Sequence, residues 1–329
     1  MVGPGPESES EPRSDFLPRP QAPSPRPFYR GRFAPSPTGP LHFGSLIAAV
    51  GSYLAAKQAG GQWFVRIEDL DPPREVPGSA DRILRTLEAL GFEWDGPVMW
   101  QSRRYDAYTT AAAQLQSAGL AYECTCSRAE IAAASDPSAT VADELHYPGW
   151  CRQRPLRPER ARALRFLAAN GPVSFADGIQ GEITGNVGTD SGDFVIRRRD
   201  GRFAYQLAVT VDDAAQGITH VVRGADLLTS SLRQLVLQRA LGFAEPAYAH
   251  LPLAVDKSNL KLSKSTGSAA LDVTKPSVQL WRALDFLRQE PPAGLRPGKV
   301  REIWDWAIRH WTTGPFRGLR VLGAEPADG

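Results

Sequence analysis

The chain has 329 residues, of which 42% are hydrophobic and 22% charged, a composition typical of a globular protein with room for one large or two ordinary domains. The 38 Lys and Arg nearly balance 36 Asp and Glu, which excludes a uniformly basic nucleic-acid-binding protein, so any basic surface must be local. No apolar stretch approaches the ~18 residues of a membrane span. Three cysteines, an odd number, favour a reducing compartment. We therefore expect a cytoplasmic monomer with no membrane partner.

The N-terminal part of the chain predicts a disordered tail followed by an α/β unit. Residues 1–27 carry eight prolines among Ser, Glu and Arg and lack the apolar centre of a signal peptide, so they are predicted to be disordered. Residues 28–33, 45–58 and 63–67 have the patterns of a strand, an apolar helix and a buried strand. That order is typical of a right-handed parallel unit. Two further helices are predicted over 80–90 and 105–119.

The middle of the chain has a different character. All three cysteines fall within residues 121–154, and residues 155–190 mix an Arg-rich helical pattern with short strands and glycines. Apolar strand patterns resume beyond them, so we predict an α/β parallel sheet that an insertion splits in the sequence. The later elements are expected to be strands over 194–198, 204–211 and 220–223 and helices over 227–241, 281–288 and 300–311. The predicted domains are the first half of the sheet (28–112), the insertion (113–195), the second half (196–256) and a C-terminal helical region (257–329).

The stretch RFAPSPTGPLHFGS, residues 32–45, leads directly into the first predicted helix. Prolines remove backbone freedom and glycines allow a ligand to approach closely. The free N–H groups at a helix N-terminus also attract anions, and His42 adds a donor that can lie along a phosphate. The alternative is a proline-rich turn with a buried histidine.

A second stretch, Lys261-Leu262-Ser263-Lys264-Ser265, lies 219 positions after His42. Lysines separated by small polar residues can clamp a polyphosphate and neutralise the charge that develops on it. On its own this stretch would indicate only a solvated basic loop. The two stretches together, in this order around a split parallel sheet, resemble the HIGH and KMSKS signatures of class I aminoacyl-tRNA synthetases, written here as HFGS and KLSKS.

The resemblance extends to the glutamyl branch of that family. The loop at 32–45, RIEDLDPPRE at 66–75 and HVVRGADLL at 220–228 are similar to that branch, and the match covers about residues 29–275. HFGS departs from HIGH at its fourth position, where Ser45 is a weaker phosphate partner than histidine. The resemblance implies a ligase with a Rossmann-type sheet that uses ATP and Mg²⁺. It assigns catalysis to His42, Ser45, Lys261 and Lys264, and ATP binding to His42, Gly44, Ser45 and Lys264.

Glutamate offers an ammonium group and two carboxylates, and the sequence has a candidate partner for each charge. Glu68 follows a predicted strand, at the edge where open α/β sheets bind ligands, and suits the ammonium group. Arg223 ends another strand, suits a carboxylate through a bidentate contact, and resembles the family's glutamate-reading arginine. Either residue could instead be half of a structural ion pair. The other glutamate-binding positions that the resemblance implies are Arg32, Phe33, Ala34, Pro35, Ser36 and Tyr205.

The cysteines suggest a metal site. Cys124, Cys126 and Cys151 are three soft ligands, and tetrahedral zinc needs a fourth. Imidazole chemistry nominates His146. The resemblance nominates Tyr147, because glutamyl-type relatives use a Cys-x-Cys…Tyr-x-x-x-Cys knuckle. We expect one structural zinc with Tyr147 as the fourth ligand; the alternative is three free cysteines and no metal.

The length of the C-terminal region bears on which tRNA accepts the activated amino acid. Only 64 residues follow Ser265, enough for a helical stem-type piece but not for an anticodon-binding domain. In this the chain resembles the glutamyl-queuosine tRNA(Asp) synthetases, shortened paralogues that activate glutamate and attach it to queuosine in the anticodon loop of tRNA(Asp). The resemblance therefore implies L-glutamate, ATP and queuosine-bearing tRNA(Asp) as partners.

Two other functions stay open at this point. A truncated synthetase could charge the 3′ end of tRNA(Glu), and a non-catalytic relative could bind an amino acid or RNA as a regulator. The intact His42, Lys264 and Arg223 weigh against the regulator. Basic residues at 152–162 and 197–199 are candidate tRNA contacts, with a solvated face as the alternative.

Overall fold

The structure is a computed structural model that describes residues 28–134, 146–256 and 270–324. The predicted N-terminal tail and the stretch that contains Lys261 and Lys264 lie outside these ranges. Within them, no helix has the length and apolar character of a bilayer-spanning segment.

The first α/β unit is formed as the sequence predicts. Strand β1 (Arg30–Phe33) leads through the proline-rich loop into helix α1 (Phe43–Gln58), and β2 (Gln62–Ile67) returns beside β1. The two strands pair in parallel, with Arg32 opposite Phe64. Helix α1 lies between the sheet and the C-terminal helices. Nine of its residues are buried, which is why most of its surface must be apolar.

Two helices and a short strand complete the first half of the sheet. Strand β3 pairs in parallel with β2, so the strand order is β1-β2-β3. The predicted helices over 80–90 and 105–119 are both present, each within two residues of its expected start and end. The elements are α2 (Ser79–Ala89), β3 (Met99–Trp100) and α3 (Tyr105–Ser117).

The predicted insertion contributes to two different sheets. Strands β4, β5 and β8 form an antiparallel sheet of their own. Strands β6 and β7 form a hairpin, and β6 pairs in parallel with β10 of the later catalytic sheet. The domain limits at 113 and 195 remain a prediction, and this hairpin crosses between the two parts. The elements are β4 (Ala121–Cys124), α4 (Arg128–Ala134), β5 (Ala163–Phe166), β6 (Val173–Asp177), β7 (Gly181–Gly185), α5 (Val187–Asp190) and β8 (Val195–Arg197).

The second half of the catalytic fold is built on β9 and β10. They pair in parallel, and the strand order is β7-β6-β10-β9. The edge of β9 approaches β1, since the Thr219 N–H donates to the Arg30 carbonyl oxygen at 3.0 Å and the Arg30 N–H donates to the Thr219 hydroxyl at 2.8 Å. The elements are α6 (Tyr205–Ala215), β9 (His220–Gly224), α7 (Leu228–Leu241), β10 (Ala247–Leu251) and β11 (Leu253–Val255).

Two secondary-structure predictions and one expected sheet placement in this region are wrong. Residues 204–211, expected to be a strand, begin helix α6, in which every residue from 206 to 213 is buried; burial on all sides removes the polar face that reveals a helical period. The Arg-rich helix expected in 155–190 does not form over 155–162, where Pro155 and Pro158 interrupt it. Strand β8 is present, but it pairs antiparallel with β5 in the insertion rather than in the catalytic sheet.

The C-terminal region packs on the outside of α1. Helices α8 (Pro276–Phe286) and α9 (Val300–His310) contribute Leu284 and Ile303 to the same buried cluster as Leu54 of α1. The Trp304 indole N–H donates to the Leu90 carbonyl oxygen at 2.9 Å, and the ring is part of the same buried cluster. The last strand, β12 (Val321–Gly323), was not predicted and pairs in parallel with β11.

Candidate active site

The N-terminus of α1 is capped by a histidine. The Nδ1 atom of His42 accepts the Ser45 N–H at 3.4 Å, and its Nε2 lies 3.1 Å from the Ser45 hydroxyl oxygen. Because Nδ1 is the acceptor, a neutral imidazole carries its proton on Nε2. The first turn of α1 contains no acidic residue, so the positive end of its dipole is available to an anion.

The chain that follows the segment 257–269 lies beside this cap. Ala270 forms a β-bridge with His42, and the Leu271 N–H donates to the Leu41 carbonyl oxygen at 3.1 Å. The described residues that follow the lysine stretch are therefore attached to the His42 loop.

A cavity of about 570 Å³ opens beside His42. It lies at the carboxyl ends of β1, β2 and β9, the edge at which open parallel sheets bind ligands. Every predicted glutamate position and the described ATP positions line it: Arg32, Phe33, Ala34, Pro35, Ser36, His42, Gly44, Ser45, Glu68, Tyr205 and Arg223.

Buried charges hold one wall of the cavity together. The Asp213 carboxylate accepts two hydrogen bonds from Arg32, at 3.1 and 3.3 Å, and one from Arg66 at 2.7 Å. Arg66 also donates to Glu68 at 3.4 Å and to the Gln216 side-chain oxygen at 2.8 Å. Asp213 thus links the Arg32 and Glu68 sides of the site through two guanidinium groups.

The two carboxylates in this cluster titrate differently. Burial raises the pKa of Asp213, but Arg32 and Arg66 outweigh it and hold the pKa below its usual range. Burial also raises the pKa of Glu68, and there the arginines only partly oppose it. Glu68 is therefore the carboxylate whose charged form gains most from an additional cation in the cavity.

All three nitrogens of Arg223 donate hydrogen bonds. Its Nε donates to His250 at 3.2 Å, and its Nη2 donates to the Ser231 hydroxyl at 2.8 Å and to the Gln234 side-chain oxygen at 2.9 Å. Its Nη1 donates to the Tyr205 hydroxyl at 3.4 Å. This arrangement orients the guanidinium toward the cavity without a buried carboxylate in contact with it among the described residues, so it does not form the structural ion pair that the sequence left open.

Several residues at the site were not predicted from the sequence. Thr38, Arg74 and Asp226 also line the cavity. Asp226 stands in the HVVRGADLL motif, three residues after Arg223, so the motif contained a signal for it. Asp213 had none, because it lies in α6 just beyond the strand predicted over 204–211, and its arginine partners are distant in the sequence.

The three cysteines form a separate cluster in the insertion. Their sulfur atoms lie within 4.8 Å of one another, a group that could hold a metal ion. The Tyr147 hydroxyl is 3.4 Å from the Cys124 sulfur and 3.5 Å from the Cys126 sulfur. His146, the other candidate, is a described residue but does not join the cluster.

The thiols of Cys126 and Cys151 differ in acidity, and burial raises the pKa of the Cys126 thiol. All three cysteines are free, and the Cys126 and Cys151 sulfurs are 3.5 Å apart. Burial opposes ionisation of Cys151, but hydrogen bonding to Tyr147 and to the Thr125 backbone lowers the pKa of this thiol to about 7. A thiolate is the form that ligates metal ions.

A second cavity of about 820 Å³ adjoins the first. It lies between the insertion sheet and the helices α6 and α7, and it shares Tyr205 and Leu227 with the first cavity. Its charged lining is mostly basic, consisting of Arg128, Arg165, Arg198, Arg199 and Arg233 with Asp193 and Asp200.

The fold is that of a class I synthetase catalytic domain. Residues 29–290 match the family described as tRNA synthetases class I (E and Q), catalytic domain, and the chain belongs to this family. The resemblance predicted from HFGS and KLSKS is therefore confirmed.

The names of individual relatives are more specific than the family description. The chain is 56% identical over 284 residues to the glutamyl-Q tRNA(Asp) synthetase of Dechloromonas aromatica, which covers 86% of this chain and 94% of the relative. It is 52% identical over 289 residues to the protein of the same name from Geobacter sulfurreducens, covering 86% and 92%. Among solved structures, the glutamate-tRNA synthetase of Elizabethkingia anophelis superposes with a TM-score of 0.75 at 27% identity, over 92% of this chain and 68% of that one.

Proposed function

We propose that this protein activates L-glutamate with ATP and transfers it to the queuosine base of tRNA(Asp). The observation that carries the first step is the composition of one cavity. Glu68 and Arg223, of opposite charge, line the same 570 Å³ space as His42 and the N-terminus of α1. That space therefore offers a partner for the ammonium group, a partner for a carboxylate and an anion site for phosphate.

In the activation step, an oxygen of the glutamate α-carboxylate attacks the α-phosphorus of ATP. The bond from that phosphorus to the bridging oxygen breaks, and pyrophosphate leaves with Mg²⁺, which accompanies ATP. Glu68 holds the ammonium group, and Arg223 holds the side-chain carboxylate through Nη1. Arg32, Ser36 and Tyr205 complete the glutamate site. The enzyme then acts by placing the two reactants in line and stabilising charge on the phosphates.

The phosphate side of the reaction rests on the cap of α1 and on the lysine stretch. The His42 Nε2–H, which lies 3.1 Å from the Ser45 hydroxyl oxygen, can turn to a phosphate oxygen, and the N-terminus of α1 offers its positive dipole end to the same group. We assign Lys264, with Lys261 beside it, to the charge that builds on the leaving pyrophosphate. Both lysines lie outside the described residues, so this part of the proposal rests on the KLSKS motif.

The transfer step is supported by the relatives and by the second cavity. Relatives that are 51–56% identical are named glutamyl-Q tRNA(Asp) synthetase. The arginine-lined cavity beyond Tyr205 offers room and positive charge for a nucleoside and its phosphates next to the adenylate. Arg165 in its wall is 7% exposed, and its Nε has no hydrogen-bond partner among the described residues. We propose that a hydroxyl of the queuosine diol attacks the glutamyl carbonyl here and displaces AMP.

We also propose one structural zinc held by Cys124, Cys126, Tyr147 and Cys151. The support is the donor set, three sulfurs and a phenol oxygen within ligand reach of one point. When bound, the ion would tie β4 to the turn that carries Cys151. Its proposed role is structural, and no chemical step uses it.

A second candidate function is charging of tRNA(Glu) at its 3′ end. The likeness to glutamate-tRNA synthetases of known structure favours it. The two candidates share glutamate activation and differ only in the acceptor, so one experiment separates them.

The test measures activation and then transfer. ATP–pyrophosphate exchange is expected with glutamate, more weakly with aspartate or glutamine, and without any tRNA. Labelled glutamate is then offered to tRNA(Asp) from queuosine-replete cells, to the same tRNA lacking queuosine, and to tRNA(Glu). Transfer only to the first, surviving removal of the 3′-terminal nucleotide, is the expected result. Charging of unmodified tRNA(Glu) would support the second candidate instead, and absence of exchange would refute both.

A further inference from the structure

Arg223 is supported by a buried histidine on the neighbouring strand. His250 of β10 lies directly opposite Arg223 of β9 in the parallel register. The His250 side chain is fully buried, and its Nε2 accepts the Arg223 Nε–H at 3.2 Å. None of the family motifs quoted above contains His250, and no role in the reaction has been assigned to it so far.

An aspartate determines which nitrogen of His250 is the acceptor. The Asp177 Oδ2 lies 2.5 Å from the His250 Nδ1, so Nδ1 carries the proton and Nε2 presents a lone pair to Arg223. Burial lowers the pKa of His250 more than Asp177 raises it, and the Arg223 charge lowers it further. The ring is therefore neutral at neutral pH, the state in which Nε2 can accept.

The orientation of the Asp177 carboxylate is also fixed. Its other oxygen, Oδ1, accepts the backbone N–H groups of Ile179 at 3.0 Å, Gln180 at 2.8 Å and His250 at 3.1 Å. Burial raises the pKa of Asp177, but these bonds and the one from His250 lower it below its usual range. Asp177, His250 and Arg223 thus form a hydrogen-bonded chain from the β6–β7 turn to the cavity, in which the His250 Nδ1 donates to Asp177 and the Arg223 Nε donates to His250.

We propose that Asp177 and His250 are positioning residues that fix the Arg223 guanidinium for the side-chain carboxylate of glutamate. The proposal rests on the proposed function, in which Arg223 reads that carboxylate. With Nε held by His250 and Nη2 by Ser231 and Gln234, the guanidinium plane cannot rotate, and Nη1 stays directed into the cavity. Glutamate then meets a preorganised donor and loses no affinity to reorienting it.

The decisive variant is Asp177→Asn. The three backbone donors keep an oxygen at the Oδ1 position, so the new amide NH₂ must face the His250 Nδ1. That nitrogen then becomes the acceptor, and the ring proton moves to Nε2. Nε2 can then no longer accept the Arg223 Nε–H and becomes a donor toward the Ser231 hydroxyl oxygen, 3.1 Å away. We expect the KM for glutamate in pyrophosphate exchange to rise about 10-fold or more, the loss typical of a hydrogen bond to a charged group, while the KM for ATP changes less than about 3-fold.

Substitutions of His250 give an independent measurement. His250→Asn keeps a donor for Asp177 and loses the acceptor for Arg223, whereas His250→Gln can keep an acceptor near the Nε2 position. We expect the glutamate KM to rise more in the Asn variant than in the Gln variant. A merely structural role would lower the melting temperature of both and leave KM unchanged in the folded fraction. Asp305→Asn and His310→Asn, on the exposed side of α9, are the matched controls.

The outcomes separate this inference from the proposed function. If the parent protein exchanges glutamate and Arg223→Lys raises its KM, the proposed glutamate site stands. Unchanged glutamate KM in folded Asp177→Asn and in both His250 variants would then overturn the positioning role alone. An equal rise in the KM for ATP would overturn it as well, because the effect would not be specific to the guanidinium.

Discussion

Replacing Asp213 by asparagine tests the buried charge cluster beneath the site. The cluster consists of Arg32, Arg66, Glu68 and Asp213, two positive and two negative groups. The Asp213 side chain is 6% exposed and that of Arg66 is 0% exposed. Asparagine preserves the shape and one acceptor oxygen, but it leaves a net positive charge in the interior and turns an amide N–H toward Arg32.

The expected cost follows from that burial. Removing one partner of a buried ion pair destabilises a protein by about 3–5 kcal/mol, because the remaining charge has lost its compensation. Asp213 serves two arginines, so we expect the upper part of this range. For domains of 150–250 residues each kcal/mol lowers the melting temperature by about 2–4 °C, so a loss of about 4–5 kcal/mol should lower it by roughly 8 °C or more.

The measurement is urea unfolding followed by tryptophan fluorescence, with Asp285→Asn on the exposed face of α8 as control. The free energy of unfolding of the control is expected to lie within about 0.5 kcal/mol of that of the parent protein. The folded-state pKa of Asp213 lies below its usual value, so its stabilisation is present above about pH 4 and is lost as the pH falls through the lower, folded-state value. Parent and variant should therefore differ most at neutral pH. A difference below 1 kcal/mol at pH 7 would refute the view that Asp213 compensates buried charge.

Three further predictions concern the phosphate site, the metal cluster and the ammonium site. Lys264→Ala should slow pyrophosphate exchange about 10²-fold through loss of one charge contact to the transition state, while exposed Lys275→Ala should not; equal rates would remove Lys264 from the mechanism. Cys151→Ser should lose zinc in metal analysis, and Tyr147→Phe should lower zinc affinity where His146→Ala does not; freshly purified parent protein without zinc would contradict the proposed site. Because the pKa of Glu68 is raised, the glutamate KM should increase as the pH falls through that raised value, and Glu68→Gln should have a high KM without this step; the same step in the Gln variant would assign it to another group.

Much of the catalytic fold could be predicted because its elements carry local signals. The unit β1-α1-β2 has an alternation of strand, helix and strand with a proline-rich loop between them, and the stretch that forms α7 is long enough to indicate a helix rather than a strand. The glutamate and ATP positions were predicted from motifs that place them at strand ends, and parallel strands bring those ends to one edge.

The remainder depended on contacts that no local pattern records. Helix α6 is buried on all sides, so its apolar run does not reveal whether it is a helix or a strand. Asp213 meets Arg32 and Arg66 across 181 and 147 positions of the chain, and Asp177 meets His250 across 73. Such pairs can be predicted only when the order of the strands in the sheet is known. The sequence did not predict the pairing of β6 with β10.

The β6–β7 hairpin has a consequence for recombining these proteins. Residues 173–185 lie within the stretch that chain order assigns to the insertion, yet β6 is hydrogen-bonded to β10 of the catalytic sheet. A chimaera that exchanged 113–195 between relatives would replace a strand of the recipient's sheet together with the cysteine-bearing part. A junction that leaves β6 and β7 with their native β10, and exchanges only the chain before Val173, would keep the sheet of a single parent.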